Sequence, residues 1–389
     1  MKIKGLVAAI LVFVIALPSA ALVWARDAGL ALTVDAKAAV IMEATSGEIV
    51  FEQNGGERLA PASVTKVMTM LLIYEALAQK RISWDDMVTT SEHAASMGGS
   101  QVYLEPGEQQ TVRDLVKAVV IASANDGAVA LAEFISGSEE SFIDLMNKKA
   151  AQLGMADTSF RNACGLDADG HFTTARDIAI MSRELITKYP EVREYAMTWM
   201  DTITHKTARG EEEFGLTNTN KLVKWYQGTT GLKTGSTGNA LYCLSATALR
   251  GDMELIAVVL GAPNPTTRFQ EVMKMLDYGY ANYKVVKGEL PGTVVGTIPV
   301  DKGVYPDIAV MVQDLISDVT EKGSNGELES VITIDKSVQA PAPAGTTVGE
   351  VVYTYEGREI GRSPIVTEEG VDKAGFGDML GRVLAVWFK

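Results

Sequence analysis

A nearly unbroken apolar segment constrains this chain most. Val67, Met68, Met70, Leu71, Leu72 and Ile73 follow one another at the head of a helical stretch that opens near Pro61. A helix that is hydrophobic almost all round has no face to turn to water, so it belongs in the middle of a domain. Proline suits the first turn because its missing N–H has no intrahelical partner there. Ser63 and Lys66 stand three residues apart in that opening, within Pro61-Ala62-Ser63-Val64-Thr65-Lys66. Side chains at i and i+3 on a helix share a face. A lysine embedded among Val67, Met68 and Met70 is costly unless it has a task.

Other elements can be placed around this segment. Residues 38–53 form a predicted hairpin about Ser46-Gly47. Helical spacing recurs over residues 112–122, 127–135 and 140–153, with Gly154 as a C-cap. Thr174 caps a further helix that runs to Lys188 before Pro190. The period then changes. Residues 240–249 and 253–260 are β-rich runs about Arg250-Gly251-Asp252, and Asn264-Pro265 opens one more helix, to about Asn282. From Tyr283 onward, short Val/Ile/Thr runs at 293–300, 309–315, 330–334 and 350–355 alternate with Gly, Pro and Asp turns, which predicts a small all-β domain. In residues 373–389, Phe376, Leu380, Val383, Leu384 and Trp387 fall on one helical face, with Asp378 and Arg382 off it. That pattern predicts an amphipathic helix on a membrane surface; a helix docked on the β domain is the alternative.

The N-terminus reads as a secretory signal. Lys2 and Lys4 precede an apolar stretch over residues 6–17, then Pro18 and small residues, with a cleavage site after Val23-Trp24-Ala25 and Arg26 starting the mature chain. An uncleaved anchor is the alternative, and under either reading the remainder is exported. The expected division is therefore 1–25 signal, 26–282 a first domain of helices and strands, 283–372 β domain and 373–389 surface helix. A net charge of -14 over 389 residues argues against nucleic acid as a partner, because no basic field steers the chain to phosphate. Cys164 and Cys243 are the only cysteines, belong to no metal-ligand cluster and read as small buried side chains.

Two more short motifs follow Ser63-x-x-Lys66 in order: Ser123-Ala124-Asn125 and Lys233-Thr234-Gly235. A serine hydroxyl is a poor nucleophile until a base takes its proton. Lysine serves as that base only when its pKa is depressed. An apolar surround, the positive end of a helix and a second cation, Lys233, all push that way. Ser123 can relay a proton between Lys66 and a leaving group. Asn125 can hold a substrate amide or orient Lys66. Gly235 permits close approach of a substrate backbone, while Lys233 and Thr234 can bind a carboxylate. The backbone N–H groups of Ser63 and Ser236 can form an oxyanion hole. Each motif alone is weak, since a Ser-x-x-Lys occurs about once or twice by chance in a chain this long. Their order and context make them strong together.

This motif set is shared by penicillin-binding proteins and class A β-lactamases. The chain resembles the low-molecular-mass penicillin-binding proteins, the serine-type D-alanyl-D-alanine carboxypeptidases. Leu104-Glu105-Pro106-Gly107-Glu108, Asn162-Ala163-Cys164-Gly165-Leu166-Asp167 and Gly231-Leu232-Lys233-Thr234-Gly235 carry the resemblance alongside the first motif, and it extends over residues 35–372. The resemblance implies a mixed α/β transpeptidase-like domain, with an antiparallel sheet flanked by helices, a small all-β domain and a membrane-surface helix. It implies catalysis by Ser63, Lys66 and Ser123, and substrate binding by Asn125, Lys233, Thr234, Gly235, Ser236 and Arg268. The implied substrates are peptidoglycan stem peptides ending in D-Ala-D-Ala, with β-lactams as covalent mimics and no cofactor or metal. Ala124 and Ser236 stand where many members have Gly and His. A backbone N–H is unchanged by the second swap, so its consequence falls on turnover and substrate preference.

Four rivals fit less well, the last two being a metal hydrolase and a Ser-His-Asp hydrolase. A class A β-lactamase needs a glutamate to activate the deacylating water, and residues 157–162 contain none. A non-catalytic wall-binding protein would not need Ser63, Lys66, Asn125 and Lys233 together. His93, His171 and His205 are scattered, without the spacing of a metal hydrolase, and no G-x-S-x-G elbow is present.

Overall fold

The computed structural model describes residues 32–387, so the signal reading of residues 1–25 lies outside it. The residues from Val34 onward form one compact unit. Its first part is an antiparallel five-stranded sheet in the order Ile49–Gln53, Ala38–Glu43, Met253–Ala262, Leu241–Arg250, Thr229–Thr237. The N-terminal hairpin thus closes onto a strand far along the chain, with Val40 opposite Val258. Both strands of that junction, Ala38–Glu43 and Met253–Ala262, are buried along their whole length. Strands covered on both faces read as continuous apolar runs rather than alternating ones.

The two faces carry different helices. Val40, Met42, Ile256 and Val258 join one core with Met68, Ile178 and Leu185, from the helices Lys66–Ala78 and Ala175–Lys188. Ser182 and Ser245 meet by hydrogen bond at 2.8 Å across that interface. Ile41 and Leu255 point the other way and pack against Gly279 of the helix Pro265–Asn282. The expected caps are present: Thr174 Oγ1 accepts from Asp177 N, and Asn264 Oδ1 accepts from Thr266 and Thr267 N. The apolar helix is enclosed as its composition demands; every residue from Lys66 to Tyr74 is buried.

Three local features differ from the expectation. Residues 62–65 form a 3-10 turn, so the α-helix begins at Lys66 and Ser63 lies just before it. The helix expected over 112–122 is α-helical only to Lys117 and passes into a π-helical turn, Ala118–Ala122. A hairpin of Met200–Thr207 and Gly210–Thr217, without an apolar alternation to announce it, lies outside the expected strands.

Beyond Tyr283 the chain is β throughout until its last helix. A six-stranded sheet runs in the order Leu328–Ile334, Thr347–Tyr355, Arg358–Thr367, Asp307–Val312, Val294–Asp301, Val338–Gln339, and Tyr283–Lys287 pairs with Ser317–Glu321. Ile298, Val310, Tyr353 and Ile365 belong to its own core. The helix Phe376–Trp387 follows, with Asp378 Oδ2 accepting from Gly375 N at its start. Phe376, Met379, Leu380 and Leu384 are exposed on it.

Candidate active site

The site forms where the 3-10 turn, the loop before the helix Asn125–Ser136, the loop 162–166 and the edge strand Thr229–Thr237 converge. Lys66 is fully buried, and its ammonium has three acceptors: Ser63 Oγ at 3.1 Å, Asn125 Oδ1 at 2.5 Å and the Cys164 carbonyl at 2.7 Å. All three are neutral groups. Burial pulls the Lys66 pKa down to about 8, against weaker upward pulls from the Cys164 thiol and Asp126. Ser63, beside it, is half-buried and reachable from solvent.

Backbone strain falls on two of the motif segments. Ala62 has φ 48° and Ser123 has φ 66°, both in the left-handed region. Such conformations cost roughly 1–3 kcal/mol each and persist where packing dictates them. At Ala62 the packing is visible: a Cβ on Gly165 would lie 1.9 Å from Ala62 O, and one on Gly235 would lie 2.9 Å from Ser63 N. The two glycines let loop 162–166 and the edge strand press directly on the turn that carries Ser63. Gly235 therefore serves the approach of the nucleophile's own segment. The same contact sets Ser63 N against the strand that carries Ser236, whose side chain is exposed.

Asn125 has its amide committed at both ends. Its Oδ1 accepts from Lys66, and its Nδ2 donates to Gly98 O at 2.6 Å. Of the two roles open to it in sequence, orienting Lys66 is the one this geometry displays. Ser123 is buried at the end of the π-helical turn, close in sequence to Asn125, yet the Lys66 hydrogen bonds go to Ser63, Asn125 and Cys164 instead. A direct Lys66–Ser123 relay is not formed in this arrangement.

Lys233 is almost completely buried and donates to Thr234 O at 3.1 Å, while Thr234 Oγ1 donates to Thr219 Oγ1 at 2.7 Å. Burial first, then the charges of Lys66 and Arg268, push the Lys233 pKa well below its ordinary value. The expected electrostatic influence thus runs from Lys66 onto Lys233; depression at Lys66 itself comes from burial. Arg268, expected to bind substrate, is turned inward on the helix Pro265–Asn282. It is buried, its Nη1 donates to Gly235 O at 3.1 Å and Cys243 O at 3.3 Å, and its Nε is buried without a partner among the described residues. The result is a buried group of basic side chains, with Lys66 and Arg268 both acting electrostatically on Lys233.

Sequence reasoning missed the Cys164 carbonyl, because a backbone acceptor leaves no residue-type signal. It is positioned by Asn162, whose Oδ1 accepts from Gly165 N at 2.6 Å and Leu166 N at 3.2 Å. Both cysteines are buried free thiols. The three histidines are separately engaged: His93 with Glu139, His171 with Thr65 and His205 with Glu108.

A serine held against a buried lysine, with a cationic edge strand alongside, defines the class of serine acyl-transfer enzymes that work without histidine. The D-alanyl-D-alanine carboxypeptidase family model matches residues 25–264, and the model for the penicillin-binding protein 5 C-terminal domain matches residues 283–373. The chain is 44% identical to the D-alanyl-D-alanine carboxypeptidase DacF of Bacillus subtilis, covering 91% of this chain and 90% of that one. It is 37% identical to DacC of Escherichia coli, covering 88% and 86%. Penicillin-binding protein 5 from Haemophilus influenzae superposes with a TM-score of 0.71 at 32% identity, covering 88% of this chain and 98% of that one. The chain belongs to the D-alanyl-D-alanine carboxypeptidase family and to its enzyme class, the serine-type D-Ala-D-Ala carboxypeptidases.

Proposed function

We propose that this protein removes the terminal D-alanine from peptidoglycan stem peptides through an acyl-enzyme on Ser63. The single observation that carries the chemistry is Lys66 Nζ, fully buried, 3.1 Å from Ser63 Oγ and with its pKa lowered to about 8. When Lys66 is neutral, Ser63 O–H donates to Nζ, and the hydroxyl becomes nucleophilic as the proton transfers. The oxygen attacks the carbonyl of the penultimate D-alanine, and the amides of Ser63 and Ser236 receive the developing oxyanion. The tetrahedral centre collapses with cleavage of the C–N bond. The departing D-alanine takes a proton that originates at Lys66 and reaches it through Ser123 once substrate has displaced the resting contacts. Water then hydrolyses the ester and regenerates Ser63.

Substrate lies along the open side of the strand Thr229–Thr237, which among the described residues pairs only with Leu241–Arg250 in the sheet. An extended peptide can add to such an edge. Its C-terminal carboxylate lies toward Lys233 and Thr234, and Arg268 adds positive charge from behind the strand. β-Lactams present the same carboxylate and acylate Ser63. Once exported, the enzyme works on the outer side of the cytoplasmic membrane, where its substrate lies. The exposed apolar face of the helix Phe376–Trp387 supports a seat on the membrane surface. No helix among the described residues is long and apolar enough to cross a membrane.

Incubation with a labelled penicillin tests the acylation step. Wild type is expected to form a stable adduct, and Ser63→Ala none. Equal labelling of the two proteins, or no labelling of wild type, removes the Ser63 assignment. Release of D-alanine from a D-Ala-D-Ala peptide then separates a carboxypeptidase from a slow penicillin binder.

A further inference from the structure

The Lys66 acceptor on loop 162–166 is braced from outside the three motifs. Glu139 is the first residue of the helix Glu139–Gln152 and is buried. Its Oε1 accepts from Ala163 N at 2.8 Å, and its Oε2 meets His93 Nε2 at 2.7 Å. The Ala163 carbonyl accepts from Thr69 Oγ1 at 2.6 Å, and the next carbonyl, that of Cys164, accepts from Lys66 at 2.7 Å. Successive peptide planes are thereby tied to two different elements, the Glu139 helix end and the central helix. Three successive peptide units, 162–163, 163–164 and 164–165, are thus each held by a separate contact, and the Glu139 contact fixes the first of them.

We propose that Glu139, oriented by His93, is a positioning residue for Lys66: it holds the Ala163 amide and so keeps the Cys164 carbonyl on the base. The inference rests on Lys66 acting as the base of acylation. Removal of the Glu139 carboxylate leaves a buried N–H without an acceptor, and a buried unpaired donor draws its segment toward another partner. The Cys164 carbonyl, still steadied through Asn162 on the Gly165 amide of the same peptide unit, then sits less squarely on Lys66. Two consequences follow. One of the three tethers of Lys66 weakens, so its aim at Ser63 Oγ loosens. The weakened acceptor also favours the ammonium less, so its proton is released at lower pH.

The charges around this unit are few. Lys66 faces Asp126, the Cys164 thiol and Lys233; the Asp126 carboxylate is held independently by Val102 N and Leu104 N. The His93–Glu139 pair is flanked by Glu133 and Glu140, and the hydrogen bond to Glu139 raises the His93 pKa above its ordinary value. His93 is half exposed and Glu139 is not, which assigns the orienting role to His93 and the structural contact to Glu139.

The pH dependence of second-order acylation by a labelled penicillin reads the free-enzyme ionisation of Lys66. Glu139→Ala is expected to lower the plateau rate roughly tenfold and to move the rising limb to lower pH. Glu139→Gln retains an acceptor for Ala163 N without the charge, and is expected to keep the limb in place with a rate within about twofold of wild type. Melting temperatures measured in parallel separate a folding role. A Glu139→Ala protein with a lowered melting temperature but an unmoved limb overturns the proposal, as does a Glu139→Gln protein as impaired as Glu139→Ala. Absence of any wild-type adduct overturns the reading of the site beneath it, and shows before the variants are compared.

Discussion

The surroundings of Ser63 and the core of the C-terminal β domain are filled by opposite rules. Around Ser63, Lys66 and Lys233 are buried almost to the last atom and Arg268 nearly so, and their hydrogen bonds go to hydroxyl, amide and carbonyl oxygens rather than carboxylates. Around Tyr353, the interior is Ile298, Val310, Val351 and Ile365, and no Lys or Arg among the described residues of that sheet is buried. Burial of a cation without a carboxylate is unfavourable, and neutral acceptors offset it only in part. Such a cluster marks a place where stability has been given up for reactivity, whereas the β domain is optimised for packing alone. In the first region the desolvation that penalises the Lys66 ammonium also lowers its pKa, which is what the proposed base needs.

Substitutions can break this contrast if it is wrong. The largest effect is expected from Lys66→Met, which removes the base and the charge together. Labelled-penicillin acylation should fall by about 10³-fold or more, within the range set by loss of a general base. The variant should also alter the pH dependence of stability. Lys66 has a folded-state pKa of about 8 against an ordinary 10.5, so between these values the unfolded chain binds more protons than the native one. Wild-type stability should therefore gain from Lys66 as pH rises from about 8 to 10.5, and the full penalty should be present below that window. Thermal melts across it should show a smaller gain in Lys66→Met. An equal gain would mean that Lys66 is not the strained cation it looks to be.

Next in size is the converse change, Ile365→Ala in the β domain. The residue is fully buried, and truncation of a packed isoleucine costs roughly 2–5 kcal/mol. Calorimetry or denaturant melts should register that loss, with acylation per folded molecule unchanged. A parallel drop in acylation would show that the two interiors are coupled through Tyr283–Lys287 and its neighbours. The smallest intrinsic effect on chemistry is expected from Leu380→Glu with Leu384→Glu on the last helix. Binding to vesicles of anionic phospholipid should fall by at least about 100-fold, since two buried leucines are worth roughly 3 kcal/mol or more, while turnover of a soluble peptide stays the same. Undiminished vesicle binding would place the membrane contact elsewhere.

Much of the fold is legible in the chain's own local patterns. Thr174 and Asn264-Pro265 announce helix starts through side-chain oxygens and a preset φ, which act within four residues. The strands about Arg250-Gly251-Asp252 and the β texture after Tyr283 are likewise local signals. The hairpin 200–217 gives no such signal, because one of its strands carries Glu211, Glu212 and Glu213 in succession and shows no alternating apolar face. Helical spacing puts Ser63 on an α-helix, whereas it lies on a 3-10 turn, since the distinction depends on loop 162–166 pressing on Ala62.

The candidate site divides in the same way. Ser63-x-x-Lys66, Ser123-Ala124-Asn125 and Lys233-Thr234-Gly235 were determined by the chain itself, as was the burial of Lys66, because its neighbours along the helix are apolar. Tertiary structure alone decided that Asn125 points its carbonyl at Lys66 from 59 residues away and that the Cys164 backbone does so from 98. It alone turned Arg268 inward onto Gly235 and set Glu139 beneath Ala163. Spacing encodes what lies within a few residues, where helix and strand periods fix the geometry. Contacts between distant segments depend on how whole elements pack, and a backbone carbonyl that accepts from Lys66 leaves no letter in the sequence to show it.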